Sequence, residues 1–246
     1  MTQEPGAQRT IRERDDHGDP QRLVGLRVAL LATDGVEQAE LEEPSKALGT
    51  AGAKVTVITH KTQKPGWIQA FNHITPGDQI PADLAIENAL PEEYDALLLP
   101  GGALNADMLR SVPAVVAFIK AMAQAGKPMA VICHAPWELI NAGLAQGRAL
   151  TSYHTIQMDL TNAGANWVDQ QVVVDGNLVT SRQPSDIPAF NREMLRVFGR
   201  SRQGGEQYGL PPGVEPLPTQ PGTMPPASDA PIVPPGEQPA TQTTQP

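Results

Sequence analysis

The chain has 246 residues, a formal net charge of −9 at pH 7 and a sequence pI near 5.0. This acidic balance, with no basic stripe along the chain, argues against general binding to nucleic acids or to anionic membranes. One cysteine excludes an intramolecular disulfide, and no segment resembles a secretion signal or reaches the length of a membrane span. We therefore expect a cytoplasmic protein.

The composition changes at both ends of the chain. Residues 1–24 are rich in Gln, Arg, Asp and Gly, and 12 of the 25 prolines lie between Pro211 and Pro246. Such segments bury too little apolar surface to offset the entropy of ordering them. We predict a disordered leader over 1–24, one domain over 25–200, and a Pro-rich disordered tail over 201–246 that is a passive extension rather than a docking segment.

Short apolar runs alternate with helical patterns along the domain. In chain order, the predicted elements are a strand over 27–32, a mainly helical segment over 37–51, a strand over 54–59, a short strand or hairpin near 67–71, a strand over 96–99, a helix over 113–125, a strand over 129–132, a helix over 135–142, a hairpin over 170–180 and a helix over 184–198. Pro44 lies inside the first helical segment, so the main helix is expected to begin there. This alternation predicts an α/β sandwich with a mainly parallel central sheet.

Cys133 ends one of the apolar runs, and His134 and a helical pattern follow it directly. A thiol on such a strand-to-helix turn lies at the positive end of a helix dipole, which lowers its pKa. Gly101 and Gly102 follow the preceding strand, so both features lie at the carboxyl edge of the sheet, where ligands gather. The glycine N–H groups could stabilise an oxyanion there. The alternatives are a buried structural cysteine and an ordinary glycine turn.

Three carboxylates are candidates for the same edge. Asp107 could orient an imidazole, or it could interact with a helix dipole as an acid near a helix N-terminus. Glu37 and Glu40 follow the first strand, and a protonated glutamate there could hydrogen-bond the sulfur of Cys133. Otherwise they belong to an acidic helix start that faces water. His60, His73 and His154 are interpreted as surface or loop residues, and no cluster has zinc spacing, so no metal is expected.

Several motifs together resemble the DJ-1/PfpI superfamily, and most closely its PfpI-type branch of intracellular cysteine peptidases and protein deglycases. They are Pro100-Gly-Gly, Gly126-Lys-Pro, Val131-Ile-Cys-His-Ala-Pro136, Gly147-Arg, Thr151-Ser, Asn162-Ala-Gly and the run from Val172 to Arg182. The resemblance covers about 26–199. Glutamine amidotransferase-like domains of type 1 share the fold and the cysteine turn, but they need a late histidine, and there is none between Met158 and Phe198.

The resemblance implies a flavodoxin-like three-layer sandwich and assigns roles to the candidate residues. Cys133 matches the nucleophile and His134 the adjacent histidine. Asp107 matches an acid supplied by a neighbouring subunit, which implies a homo-oligomer, either a dimer or a hexamer. Glu40 matches the glutamate that contacts the cysteine, with Glu37 as the competing choice.

The resemblance also implies which groups bind the oxyanion, and the chain differs from the family pattern at two points. The N–H groups of Gly102 and His134 would hold the oxyanion, with Gly101 beside them. The usual Cys-His-Gly-Pro reads Cys-His-Ala-Pro here, so the methyl group of Ala135 is expected to narrow the pocket. Compared with the family pattern, this chain has one extra residue between Gly102 and Asp107. Asp107 therefore aligns less directly with the acid of the family.

The expected function is that of a stress-related, cysteine-dependent hydrolase or lyase without a cofactor. Its substrates would be 2-oxoaldehydes such as methylglyoxal, or their adducts with proteins, as in deglycases and glyoxalases of the glyoxalase III type, and peptidase activity is a further expectation. The alternative is a non-enzymatic stress chaperone or redox sensor in which Cys133 oxidises to a sulfinic acid held by Glu40.

Overall fold

The computed structural model describes residues 23–202. The strands are β1 (Arg27–Leu31), β2 (Val36–Glu37), β3 (Lys54–Thr59), β4 (Trp67–Asn72), β5 (Thr75–Pro81), β6 (Leu84–Ala85), β7 (Ala96–Leu99), β8 (Met129–Ile132), β9 (Ala149–Leu150), β10 (Asn166–Trp167), β11 (Val172–Asp175) and β12 (Leu178–Ser181). The α-helices are α1 (Gln38–Thr50), α2 (Ala103–Arg110), α3 (Pro113–Gln124), α4 (Pro136–Asn141), α5 (Gln157–Asn162) and α6 (Ile187–Arg202).

Seven strands form the central sheet in the order β11-β12-β8-β7-β1-β3-β6. All neighbouring pairs are parallel except β11 with β12, which form the hairpin that the sequence predicts. The parallel pairs other than β3 with β6 follow from connections that contain helices, whereas β3 and β6 are joined through the β4–β5 hairpin. The predicted α/β class with a mainly parallel sheet is confirmed.

The sheet is covered on both faces, which explains why β7 and β8 are apolar at every position and β1 at every position after Arg27. Successive side chains of a strand point to opposite faces. In β1, Val28 and Leu30 join the core beneath α1 and α6, whereas Ala29 and Leu31 join the core beneath α2, α3 and α4. The result is the three-layer sandwich that was expected.

Two smaller sheets flank the central one. β2 pairs with β4, and β4 pairs with β5, so the hairpin expected near 67–71 is present and extends to Pro81. This three-stranded sheet lies beside the start of α1. β9 pairs with β10 in a second small sheet, and neither of these two-residue strands was predicted. Both small sheets shape the carboxyl edge of the central sheet.

Several boundaries differ from the predictions. α1 begins at Gln38 and continues through Pro44, rather than beginning at the proline. The ring of Pro44 is buried, and this packing offsets the missing backbone N–H. Leu23 is fully buried, although the sequence analysis assigned it to the leader. Residues 1–22 of the predicted leader and 203–246 of the predicted tail lie outside the described residues. The first two residues of the predicted tail, Ser201 and Arg202, instead continue α6.

The side chain of Asn105 forms hydrogen bonds to the loops after β1 and β7, which carry the candidate site. Its side-chain oxygen accepts a hydrogen bond from the N–H of Thr33, over 2.7 Å, just after β1. Its side-chain nitrogen donates to the carbonyls of Pro100 and Gly101, each over 3.1 Å. A fully buried amide with these partners fixes the ends of β1 and β7 relative to each other.

None of the helices within residues 23–202 combines the length and the hydropathy that crossing a bilayer requires.

Candidate active site

Cys133 lies on a strained turn between β8 and α4. Its φ is +64°, a left-handed conformation that a residue with a Cβ adopts at a cost of about 1–2 kcal/mol. The turn is held on both sides, because the N–H of Cys133 donates to the carbonyl of Ser181 and its carbonyl accepts from the N–H of Tyr153, over 3.0 and 2.8 Å. Such strain, maintained by surrounding bonds, marks functional positions.

The thiol of Cys133 lies between an imidazole and a carboxyl group. Its Sγ is 3.2 Å from Nδ1 of His134. On the other side it interacts with the carboxyl of Glu40. The N–H of Gly101 donates to Oε2 of Glu40 over 2.9 Å, while Oε1 is buried without a well-aligned hydrogen-bond partner. The structure thus brings Cys133, His134 and Glu40 together.

Glu37 faces away from the thiol. Its Oε2 accepts a hydrogen bond from the backbone N–H of His73, over 2.9 Å, at the tip of the β4–β5 hairpin. Its own N–H donates to the carbonyl of Gly101 over 3.3 Å. Of the two glutamates that the sequence left open, Glu40 is therefore the one beside Cys133.

Burial dominates the electrostatics of the thiol and the carboxyl. Loss of hydration, followed by the negative charge of Glu37, raises the pKa of Glu40 to about 8. Burial and the charge of Glu40 also raise the pKa of Cys133, while the N–H groups of Gly102 and His134 lower it. The two groups exchange protons as a coupled pair, and Glu40 retains its proton near neutral pH.

The raised pKa of Cys133 contradicts the expectation from the helix dipole. α4 has only six residues, and the thiol is 6% exposed, so the loss of solvation exceeds what a short helix contributes. The thiolate therefore depends on hydrogen-bond donors that point at the sulfur. Glu40 can act as one of them only while its carboxyl carries a proton.

The backbone N–H groups of Gly101 and Gly102, which follow β7, have different hydrogen-bond partners. The N–H of Gly102 points at the sulfur of Cys133, and the φ of Gly102 is +90°, which favours glycine. The N–H of Gly101, in contrast, is taken by Glu40. The expectation that Gly101 offers a free oxyanion donor is therefore wrong. The backbone donors at the sulfur are those of Gly102 and His134.

His134 is held in place by residues that the sequence analysis did not select. Its Nε2 lies 3.2 Å from Oγ1 of Thr155, and its ring stacks on Tyr153 with 4.8 Å between the centroids. Burial, and then the charge of His154, lower the pKa of His134, which favours a neutral imidazole able to accept a proton. The Thr151-Ser motif pointed toward this loop, but nothing in its spacing singled out Tyr153 or Thr155.

Asp107 does not meet His134 within one protomer. It is the fifth residue of α2, its side chain is 58% exposed, and it accepts hydrogen bonds from Nε and Nη2 of Arg110 over 3.0 and 2.8 Å. The alternative of an acid in the first turn of a helix is therefore not what is found. The Arg110 guanidinium also lies over the ring of Trp137 on α4, 4.6 Å from its centroid.

Two further expectations concern the pocket wall and metals. Ala135 is fully buried and belongs to the core between the sheet and α2–α4, so its methyl group does not narrow the pocket as expected. No three His, Cys, Asp or Glu side chains within residues 23–202 are grouped so as to hold a metal ion. That the protein works without a cofactor stays a prediction.

The sequence and the fold of this chain are both similar to those of known proteins. A model described as the DJ-1/PfpI family matches residues 26–197. Protein/nucleic acid deglycase 2 of Escherichia coli is 42% identical over 174 residues, which cover 70% of this chain and 98% of the relative. General stress protein 18 of Bacillus subtilis is 41% identical over 176 residues, 71% of this chain and 99% of the relative. The crystal structure of Drosophila melanogaster DJ-1beta matches with a TM-score of 0.64 at 27% identity, covering 72% of this chain and 92% of that one.

Proposed function

The chain belongs to the DJ-1/PfpI family, and on that basis we propose that it is a stress-related deglycase that acts through the thiolate of Cys133. Its substrates in this proposal are 2-oxoaldehydes such as methylglyoxal and the adducts that they form with protein amines. The observation that carries the proposal is the strained turn at Cys133, with His134 Nδ1 at 3.2 Å and a buried carboxyl on the opposite side.

The proposed reaction begins with addition of the thiolate to the aldehyde carbon. A C–S bond forms, and the carbonyl oxygen takes up the electron pair beside the N–H groups of Gly102 and His134. In a protein adduct, the same attack displaces the amine, which leaves with a proton. Both routes give one hemithioacetal on Cys133. The neutral imidazole of His134 is placed to carry the protons.

The second half of the proposed reaction needs no external oxidant. Transfer of the proton from the former aldehyde carbon to the neighbouring ketone carbon, through an enediol, converts the hemithioacetal into a thioester. Water then cleaves the C–S bond, which releases a 2-hydroxy acid and returns the proton to the sulfur. Oxidation of one carbon balances reduction of the next, so the net change is the addition of one water molecule.

We also propose that a second copy of the chain supplies Asp107. The exposure of this carboxylate, whose hydrogen bonds within residues 23–202 go to Arg110 and not to a histidine, supports an arrangement across subunits. Leu104 and Met108, on the same helix, are 52% and 38% exposed, which suits a helix that is covered in an oligomer. A dimer or a hexamer would both place α2 against a second site. The cytoplasm remains the proposed compartment, since the mechanism needs a reduced thiol.

The alternative function, a redox sensor without turnover, receives less support from the geometry. Sensor thiols are usually accessible and have a lowered pKa. Cys133 is 6% exposed and its pKa is raised. Mass spectrometry after mild peroxide treatment separates the two functions, because a sensor would form a sulfinic acid selectively and show no aldehyde turnover.

The proposed function is tested by replacing the nucleophile. Cys133→Ala should abolish the consumption of methylglyoxal and the release of methylglyoxal from glycated protein, with peptide cleavage assayed in parallel. Cys133 is the sole cysteine. Wild-type protein blocked by iodoacetamide therefore provides a matched control that should be equally inactive. Full turnover by the folded variant would refute the proposal.

A further inference from the structure

Glu37 occupies an unusual position for the first residue before a helix. It is the N-cap of α1, yet its side chain makes no capping hydrogen bond. The carboxylate instead turns to the tip of the β4–β5 hairpin, where it accepts the N–H of His73 over 2.9 Å and lies 3.6 Å from the imidazole Nδ1. His73 has a φ of +60°, so the hairpin adopts a strained conformation at the point where it meets Glu37.

The peptide group of Gly101 connects Glu37 to the reactive site. Its carbonyl accepts the N–H of Glu37, and its N–H donates to Oε2 of Glu40. Glu37 is only 8% exposed, and Glu40 is fully buried. Because both carboxyl groups are largely shielded from water, a charge on Glu37 is only weakly screened at Glu40. The groups that act on Glu40 are Glu37, the N–H of Gly101 and the thiol of Cys133, and the group that faces Glu37 from the hairpin is His73.

The charge of Glu37 acts on one member of the coupled pair. It is the second-largest contribution to the raised pKa of Glu40, after burial. The side-chain charge that opposes ionisation of Cys133 is that of Glu40. A negative Glu37 therefore discourages the state in which Glu40 is ionised and the thiol keeps its proton. It favours the opposite state, a protonated Glu40 beside a thiolate.

We propose that Glu37, anchored by the backbone of His73, is a positioning residue that keeps the carboxyl of Glu40 protonated so that it donates its hydrogen bond to the Cys133 thiolate. The hairpin is thereby part of the reactive site, although none of its side chains touches the sulfur. This inference deepens the proposed function and rests on Cys133 being its nucleophile, but the reactivity of the thiol can be measured without any substrate.

The chemistry makes the size of the effect predictable. Removing the charge of Glu37 lowers the pKa of Glu40, so that Glu40 loses its proton still more readily relative to Cys133. For each unit by which that pKa falls, the share of the thiolate state within the singly ionised pair drops about tenfold. If the charge of Glu37 instead acted by repelling the thiolate directly, its removal would increase the thiolate share. The two effects therefore predict changes of opposite sign.

The test is the rate of alkylation of Cys133 by iodoacetamide between pH 6 and pH 9, in wild type and in Glu37→Gln. The glutamine keeps the size of the side chain and an oxygen for the N–H of His73. If the pKa of Glu40 falls one unit below its value of about 8, alkylation should slow about threefold near pH 7.5 and about eightfold near pH 8.5. Glu43→Gln is the matched control, since it removes the same charge from the exposed face of α1 and should leave the rate unchanged.

Two further variants separate charge from packing. Glu37→Asp retains the charge and should stay within about twofold of the wild-type rate. It also serves as the second variant if Glu37→Gln does not fold. His73→Asn keeps the backbone N–H in a residue that tolerates a positive φ, and should likewise remain near wild type. Unchanged or faster alkylation in Glu37→Gln, or an equal loss in Glu37→Asp, would overturn the proposal. Because alkylation needs no turnover, these outcomes are distinct from a failure of the proposed activity, which full turnover by Cys133→Ala would reveal.

Discussion

The N–H of Gly101 donates a hydrogen bond to Oε2 of Glu40 over 2.9 Å, and this bond holds a buried carboxyl against the only thiol in the protein. The relationship explains why residue 101 is a glycine. A Cβ built there would lie 2.5 Å from Oε2 of Glu40 and 2.5 Å from Cβ of Cys133. Two reactive groups therefore converge on one backbone position that has no room for a side chain.

Gly101→Ala should damage both the fold and the site. The added methyl must displace the carboxyl of Glu40 or the turn at Cys133, and such overpacking costs about 1–3 kcal/mol. We expect a lower free energy of unfolding, measured by chemical denaturation, and slower alkylation of Cys133. Gly49→Ala is the control, because a Cβ there meets nothing within 4 Å on helix α1, and it should stabilise the protein by about 0.5–1 kcal/mol. Equal stability of the two variants would contradict the packing described here.

Glu40→Gln should simplify the pH dependence of the thiol. The pKa of Glu40 is raised to about 8, so its ionisation in the wild type opposes the thiolate over the pH range in which Cys133 titrates. The amide of glutamine can accept from Gly101 and donate to sulfur, but it cannot ionise. Alkylation of the variant should follow a single titration with a lower thiol pKa than in wild type. An unchanged profile would show that the carboxyl does not act on the thiol.

Glu138 predicts a second pH effect, on stability rather than on reactivity. Its carboxyl is fully buried on α4, neither oxygen has a hydrogen-bond partner within residues 23–202, and burial raises its pKa well above the usual value of 4.5. The folded protein holds this proton after the unfolded chain has lost it. The stability that Glu138 contributes is therefore complete below about pH 4.5, and it decreases as the pH rises toward the folded-state pKa, by up to about 1.4 kcal/mol per pH unit.

Glu138→Met tests this sign directly. Methionine replaces the carboxyl with an apolar group of similar length, which removes the unpaired polar atoms. Denaturation should show stabilisation by about 1–3 kcal/mol at pH 5 and by more at pH 8, with an increase of up to about 1.4 kcal/mol per pH unit. Glu43→Met, on the exposed face of α1, should change stability by less than about 0.5 kcal/mol at either pH. Destabilisation of Glu138→Met that is greatest at pH 8 would mean that the carboxylate is paired.

Asp107→Asn tests the proposed sharing of sites between subunits. The variant should lose aldehyde turnover while its Cys133 still reacts with iodoacetamide, because Asp107 has no contact with the thiol in its own protomer. Mixing Asp107→Asn with Cys133→Ala should then restore activity, up to about a quarter of wild type for a dimer that exchanges subunits at random. Mixed oligomers that form without any activity would exclude a shared site, as would full activity of Asp107→Asn alone.

The sequence was sufficient for six of the seven strands of the central sheet and for the turn at Cys133, but not for the two-residue β6. These six strands are apolar or rich in β-branched residues, and the turn directly follows the wholly apolar β8, so local patterns carry the information. β9, β10 and α5 are two to six residues long, which is too short for a periodicity to emerge. Their positions depend on packing rather than on their own residues.

Which of Glu37 and Glu40 lies beside Cys133 could not be predicted from the sequence. The two residues are one turn apart at the start of α1, and either could face the sheet edge. In the structure, the N–H of His73, 36 residues later in the chain, donates a hydrogen bond to Glu37. Glu40 is then the glutamate that lies beside the thiol. The role of Gly101 was likewise hidden, since its N–H is taken by a side chain 61 residues earlier.

The most direct test of covalent chemistry at Cys133 is mass spectrometry of the protein quenched with acid during turnover of methylglyoxal. We predict a substrate-derived adduct on the peptide that contains Cys133, which decays when methylglyoxal is exhausted and is absent from Cys133→Ala. Steady turnover with Cys133 unmodified throughout, or with adducts confined to lysine and arginine side chains, would contradict a mechanism through this thiol.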